Sequence, residues 1–362
     1  MFLNSDATLG LDLGSTGLRA IELAWTNGRP SIRRWAVMDF AEDIADWRET
    51  DSQEMANRIR SVLRQNDLRA QWAAHSVSGD AVVPQYFNFP QILPEDVPEA
   101  VRIEVETALP FPADNAMISY LEFADQQLAP GKIRTHGMAI AADGEFVRSR
   151  LEPIRRAGLE TFCLEADSTA CANAFVVSQD GLRNFVNTDG PNTVAILNIG
   201  CRNTNLALLG EERTLLIRDM PWAGATITQA IASELTISPD EAERLKRAHW
   251  EKGSDASPEL EARLAGLLKD CAEECMGRLK DTIQYWVGER LVPGLGKIAL
   301  TGGGSQVRGL ERVFADEFAV PVERWAPALE MARGHEEAVR PWAARLTVAL
   351  GLALRQFVTR KS

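Results

Sequence analysis

An alternating apolar run that ends in a glycine turn and returns as a second apolar strand occurs twice in this 362-residue chain. The first copy is Thr8-Leu-Gly-Leu-Asp-Leu-Gly, with the turn Gly14-Ser15-Thr16-Gly17 and a return over Leu18 to Trp25. The second is Thr193-Val-Ala-Ile-Leu-Asn-Ile-Gly, with the turn Gly200-Cys201-Arg202-Asn203-Thr204 and another apolar return. Asn198 falls on Asp12 at an offset of 186 residues, about half the chain. A match at half length, each time at the start of a strand-rich run, indicates an internal duplication. Strand, turn and return strand make a hairpin. The pattern therefore predicts two α/β halves, each opening on a hairpin.

The rest of the chain fits around those hairpins. Ser31 to Phe40 reads as a third strand, and residues 51–66 as a helix with Met55, Ile59, Val62 and Leu63 on one face. From Val82 to Gly158, Pro84, Pro90, Pro94, Pro98, Pro110 and Pro112 punctuate short elements: strands at 85–89, 117–124 and 133–142, a helix over Glu95 to Ala108, and a helix from Asp143 to Ala157. This segment reads as a small α+β insert. Ser178 to Asn192 is polar and reads as a linker. Helices are expected at 225–235, 239–249 and 258–290, the second capped by Ser238 before Pro239. A buried strand, Lys297 to Thr301, then runs into Gly302-Gly303-Gly304. A helix at 309–318, a strand at 320–323 and a helix at 341–358 close the chain.

Composition excludes several classes. Lys plus Arg number 39 against 51 Asp plus Glu, and no basic patch offsets the net charge of −12. Such a chain repels phosphate backbones, so nucleic acid is not an expected partner. No window approaches the roughly 18 consecutive apolar residues of a membrane span. Met1 to Leu11 contains Asp6 and no basic n-region, unlike a secretory signal. Cys163, Cys171, Cys201, Cys271 and Cys275 are scattered and odd in number, which reads as reduced thiols of a cytosolic protein. The histidines at 75, 136, 249 and 335 are isolated, so neither a zinc site nor a histidine triad is expected.

Chemistry concentrates in the glycine turns. Glycine lets a backbone approach a ligand closely, and consecutive N–H groups in such turns form nests for anions. Ser15 and Thr16 add hydroxyl donors, and Asp12 could position a magnesium ion through water. Other phosphate readers are missing: there is no GxxxxGK[ST], and no GxGxxG opens a helix.

Asp12-Leu-Gly-Ser-Thr-Gly17 resembles the first phosphate motif of the actin-like ATPase superfamily, which includes actin, sugar kinases and bacterial FtsA. Asn198-Ile-Gly-Cys-Arg-Asn-Thr204 resembles the second, and Leu300-Thr-Gly-Gly-Gly-Ser-Gln-Val-Arg-Gly-Leu the adenosine motif. Within the superfamily the chain resembles the PilM family of type IV pilus assembly proteins. Leu109-Pro-Phe-Pro-Ala-Asp looks like its "IPFP" signature, and Ala223-Gly-Ala-Thr-Ile-Thr-Gln-Ala-Ile-Ala like its glycine-led helix. Glu241-Ala-Glu-Arg-Leu-Lys246 and Ala349-Leu-Gly-Leu-Ala-Leu-Arg are also similar, so the likeness runs from about residue 8 to 357.

The resemblance implies an actin-like, RNase H-like duplicated α/β fold with a nucleotide cleft between the halves. Residues 1–81 with 159–185 and 335–362 would form the first domain, 82–158 the inserted subdomain, and 186–334 the second domain, its helical part near 225–292. Gly14, Ser15, Thr16 and Gly17 would clasp the phosphates of ATP from one side. Gly200, Cys201, Arg202, Asn203 and Thr204 would clasp them from the other. Glu243 and Lys246 would face ribose and adenine, and Gly302, Gly303 and Gly304 would let the base lie against backbone. Asp12 would hold Mg²⁺ through water, with Asp167 and Asn198 beside the attacking water. The cytoplasmic N-terminal tail of a PilN-like inner-membrane protein would dock beside the insert, against Gln85, Tyr86, Phe87, Leu109, Pro110, Phe111 and Pro112. Other pilus inner-membrane and motor components are implied as further partners. The implied location is the cytoplasmic face of the inner membrane, with no transmembrane segment in the chain itself.

One position departs from the pattern. The second phosphate motif normally opens with an aspartate, and here it is Asn198, which keeps the shape and loses the charge. Arg202 could restore some positive charge toward phosphate. Binding is thus expected more readily than turnover. Two alternatives share the opening motif. A sugar or small-molecule kinase would need a substrate-side aspartate base, and none stands out. An FtsA-like filament protein would end in a basic membrane helix beyond a linker, whereas Leu346 to Phe357 runs directly into Thr-Arg-Lys-Ser.

Overall fold

Two five-stranded sheets of one topology make up most of the molecule. The computed structural model describes residues 7–26, 29–123, 134–178, 193–210, 214–252, 257–288 and 294–358. In the first half β1 (Ala7–Gly14), β2 (Gly17–Thr26) and β3 (Arg29–Asp39) form an antiparallel meander. Helix α1 (Ser52–Gln65), capped by the Asp51 carboxylate on Gln53 N and Glu54 N, carries the chain to β4 (Trp72–Val77), which lies parallel to β1. There the insert interrupts. Its strands β5 (Val82–Pro90), β6 (Ala116–Glu122) and β7 (Arg134–Asp143) pair in the order β5-β7-β6, with helix α2 (Val97–Glu106) burying Val97, Val101 and Val105 on them. Helix α3 (Gly144–Arg156), capped by Asp143, returns to β8 (Glu160–Ala166), parallel to β4. Helix α4 (Asp167–Ser178) ends this half.

The second half repeats the plan. β9 (Val194–Ile199), β10 (Thr204–Leu209) and β11 (Thr214–Met220) form the meander. Helices α5 (Gly224–Leu235), α6 (Pro239–Lys252) and α7 (Pro258–Gly288) follow. Ser238 and Glu241 cap α6 reciprocally: Glu241 N donates to Ser238 Oγ at 3.3 Å and Ser238 N to Glu241 Oε2 at 3.0 Å. β12 (Lys297–Thr301) then lies parallel to β9, and after α8 (Leu310–Phe318) β13 (Val322–Arg324) lies parallel to β12. The orders β3-β2-β1-β4-β8 and β11-β10-β9-β12-β13 match strand for strand. Two short helices, α9 (Ala328–Met331) and α10 (Glu336–Val339), and a 3₁₀ segment (Arg340–Leu346) lead to α11 (Thr347–Val358).

The last helix of each half crosses to the other half. α4 packs on β9, β10 and β11, while α11 packs on β1, β2 and β4, and the two helices pack on each other. Their residues share one core, with Ala170, Ala174 and Phe175 from α4 and Leu350, Leu352 and Leu354 from α11. Close approach depends on two glycines. A Cβ on Gly351 would sit 1.7 Å from Ala170 O, and one on Gly10 would sit 1.9 Å from Ala349 O.

Several elements were not expected from the sequence. β4, β8, α4 and β11 had no assignment, and the closing helix at 341–358 is 3₁₀ up to Leu346 and α-helical only from Thr347. α4 is buried on both sides and rich in alanine, so it carries no amphipathic signature. The linker reading covers the last residue of α4, Ser178; residues 179–192 lie outside the described residues, as do Thr359 to Ser362.

Gly351→Ala should destabilise the protein by about 2–3 kcal/mol or prevent folding, since the added carbon meets fixed backbone. Gly277→Ala, where nothing lies within 4 Å of the new carbon on α7, should instead stabilise by about 0.5–1 kcal/mol. Denaturant unfolding of both variants checks the pair.

Candidate functional site

β9 and β12 are parallel neighbours, and ligands of such sheets bind beyond the carboxyl ends of the strands. There the three glycine turns are found. In the first, Gly14 pairs with Gly17 across the hairpin, and Ile44 N and Phe40 N donate to Ser15 O and Thr16 O at 2.8 and 2.9 Å. Gly17 admits no side chain, because a Cβ would lie 2.2 Å from Met38 O. Arg19, opposite Asp12 in the hairpin, is buried; it donates to Gly17 O at 2.8 Å and to Thr16 Oγ1 at 3.2 Å. Its third partner, Asp39, also accepts Arg345 from the 3₁₀ segment.

The second turn is braced by α5 and α6. Gly224 N donates to Gly200 O at 3.0 Å and Ala225 N to Cys201 O at 2.8 Å, which sets the N-terminus of α5 on the turn. Lys246 Nζ donates to Gly224 O at 3.0 Å and Thr228 Oγ1 at 2.7 Å, and pairs with Glu243 at 2.6 Å. Burial opposes the Glu243 charge, yet Lys246, Thr228 and Arg247 hold its carboxyl down at about 2. Thr204 turns inward and donates to Trp222 O at 2.6 Å, so its hydroxyl does not face the turn. Cys201 reaches across to Asp43 of the first half at 3.4 Å, and Arg202 is exposed.

The triple glycine lies directly on β9. Gly302 has φ +84°, and a Cβ there would fall 2.5 Å from both Asn198 Oδ1 and Ile199 O. On Gly304 it would fall 2.4 Å from Ile199 Cγ2. Gly302 N donates to Ala344 O at 3.0 Å, so this turn also touches the segment that carries Arg345.

Carboxylates gather at the floor. Burial and the neighbouring Asp167 push the Asp12 carboxyl well above its usual range, against the pull of Arg19, Arg150 and Arg345. Asp219, on β11, was missed in the sequence, where Arg218-Asp219 breaks an apolar run. It accepts Asn205 Nδ2 at 2.8 Å and Gly79 N, from the first half, at 2.6 Å. Burial pushes its carboxyl up to about 7. Arg150 is fully enclosed beside Trp47, 4.0 Å over its ring, and donates to Ser76 O at 3.1 Å. Among the described residues no trio of His, Cys, Asp or Glu is close enough to ligate a metal directly.

The residues expected to receive a partner divide between two faces of the insert. Tyr86 accepts Ile217 N at 2.8 Å and packs edge-on against Trp286 at 4.5 Å, which seats the insert on the second half. Phe87 points the other way and is buried under α2, with Leu109 beside it. Gln85 and Phe111 are half-buried, and Pro110 and Pro112 are exposed.

Two halves with matched sheets, each opening on a hairpin with a glycine turn, define an actin-like α/β protein. Residues 10–357 match the family model described as type IV pilus assembly protein PilM, and the chain belongs to that family. Among solved structures, the chain is similar to one described as a PilM–PilN type IV pilus biogenesis complex. That match has 24% identity over 98% of this chain and 99% of the other, with a TM-score of 0.80. It is also similar to the ethanolamine utilization protein EutJ from Carboxydothermus hydrogenoformans, at 16% identity over 97% and 90% of the chains and a TM-score of 0.56. No described helix is long and apolar enough to cross a membrane.

Buried carboxyls with raised values make the ligand-free fold lose stability as pH rises, because the unfolded chain ionises at lower pH than the native one. Glu165, pushed up to about 7 by burial, is one such group. His75, pushed by burial down to about 3, has the opposite effect: its contribution is lost as pH falls below about 6.5. Unfolding curves from pH 5 to 8 should therefore show Glu165→Gln gaining on the unsubstituted protein as pH rises. A constant difference would contradict the buried, raised Glu165.

Proposed function

We propose that this chain is a nucleotide-binding adaptor of type IV pilus assembly, using ATP as a conformational ligand. The observation that carries the reading is that glycine turns end β1, β9 and β12, and that the second turn reaches the first half through Cys201 and Asp43 at 3.4 Å; Gly17 in the first turn and Gly302 and Gly304 in the third leave no room for a side chain. Backbone N–H groups, Ser15 and Thr16 would face phosphates, with Lys246 at the second turn and the Gly302 turn toward the base. A magnesium ion brought in with the nucleotide would be held by phosphate oxygens and water, with Asp12 accepting from that water. The raised Asp12 fits this role, since two nearby carboxylates gain from a cation between them. Neutral Asn198 argues for slow turnover.

The partner in this reading is the cytoplasmic N-terminal tail of a PilN-like membrane protein, which would hold the chain at the inner membrane. The PilM–PilN complex among its structural neighbours supports it, and so does the insert's surface. Met117 and Leu121 stand 51 and 62% exposed on one face of β6, an edge strand, and Leu93 and Ile103 stand 59 and 58% exposed elsewhere on the insert. Exposed apolar side chains beside an unpaired edge suit a docking segment. In the same reading residues 82–158 are the partner-binding subdomain, and the flanking segments are the two halves of the nucleotide fold.

Thermal unfolding tests both parts. ATP·Mg²⁺ at 100 times its dissociation constant should stabilise the fold by about 2.7 kcal/mol, and Lys246→Met should weaken binding about tenfold. A peptide copying the tail should stabilise it independently, less so for Leu121→Lys. No shift with either ligand would sink the proposal.

A further inference from the structure

Asn198, Asn205 and Asp219 stand opposite one another on β9, β10 and β11, so their side chains form a row on one face of the second sheet. Asn198 Nδ2 donates to Asn205 Oδ1 at 2.8 Å, and Asn205 Nδ2 donates to Asp219 Oδ1 at 2.8 Å. The other Asp219 oxygen accepts Gly79 N at 2.6 Å. An amide can be turned over end for end, but a carboxylate only accepts once it is ionised, as Asp219 is at pH 8, above the value of about 7 to which burial pushes it. Asp219 therefore admits one polarity. Asn205 must offer it nitrogen, so the Asn205 oxygen faces Asn198, and Asn198 must answer with its own nitrogen. What remains at the far end is Asn198 Oδ1. That oxygen lies where a Cβ on Gly302 would come within 2.5 Å, and no other described residue donates to it.

We propose that Asp219 is a positioning residue for the wall of the cleft where Asn198 meets the Gly302 turn. By fixing the direction of the amide row it makes Asn198 present an oxygen at the Gly302 turn, the acceptor that an aspartate at 198 would supply. The charge sits on β11 instead of β9, and the row carries its consequence back. This inference rests on the nucleotide reading of the cleft.

The row makes the effects of exchanging the end residues strongly non-additive. Asn198→Asp alone sets two acceptor-only groups on one amide, and one buried carboxylate loses its donor. Asp219→Asn alone lets the row reverse. Gly79 N still needs an oxygen, so the new amide turns its nitrogen to Asn205, and Asn198 ends with a donor at the Gly302 turn. The double exchange N198D/D219N satisfies every member of the row again and restores an acceptor at position 198.

The test is a double-variant cycle at pH 8, first as thermal melts of the ligand-free chains, then as titrations with a fluorescent ATP analogue and Mg²⁺. N198D should melt below the unsubstituted protein, and the added D219N should recover most of the loss. D219N alone should melt close to the unsubstituted protein but bind the analogue about tenfold more weakly. The double variant should bind within about threefold of the unsubstituted protein. Additive melting losses, or unchanged analogue binding by D219N, would overturn the proposal. Should the unsubstituted protein bind no analogue, the nucleotide reading fails, and the ligand-free melts alone decide whether Asp219 orients the row.

Discussion

The crossing of α4 and α11 is the contact on which the rest of the structure depends. Each helix packs on the sheet of the other half, so the core between the two sheets draws on both halves. Gly351 against the Ala170 carbonyl and Gly10 against the Ala349 carbonyl let three backbone layers approach without side chains between them. With the helices exchanged there, the turn ending β1 and the turn ending β9 are brought to the same opening. The 3₁₀ segment before α11 adds to this: Gly302 N rests on Ala344 O while Arg345 reaches Asp39. One short segment therefore touches a glycine turn of the second half and the hairpin region of the first.

Around that opening, charge is arranged in opposition. Asp12, Asp167 and Asp219 lie on the floor; Arg19, Arg150 and Arg345 oppose the rise of Asp12, while Asn205 and Gly79 N donate to Asp219. Burial alone would drive such carboxylates to keep their protons. Lys246 stands by the second turn, where with Thr228 and Arg247 it holds Glu243 ionised. In the proposed reading a ligand with phosphates and a cation would complement both sets of groups at once. The insert is coupled to the same region, since Gly79 just before it binds Asp219 and its Tyr86 binds Ile217 of the same strand.

The sequence made the duplication legible because glycine turns leave a mark that needs no long-range information. Asp12-Leu-Gly and Asn198-Ile-Gly stand at matching registers, and their matched sheets follow from it. The three turns were readable as local patterns, and the resemblance to the PilM family pointed to Glu243 and Lys246 and extended the reading to the whole chain. Asp219, Gly79 and Arg19 were not. Asp219 and Gly79 act through each other, 140 residues apart in sequence. Arg19 could have been found from the hairpin register, which places it opposite Asp12. Tyr86 and Phe87 show the converse limit. Adjacent aromatics in a short strand face opposite sides, and only the surrounding elements decide that one seats the insert while the other lies under α2.

Backbone hydrogen exchange with and without an ATP analogue and Mg²⁺ tests the two-sided cleft most directly. If both halves clasp one ligand, the analogue should slow exchange together at residues 14–17, 200–204 and 302–304, to the same saturation point. Protection confined to one turn, or none at any of the three, would contradict a nucleotide site shared between the halves.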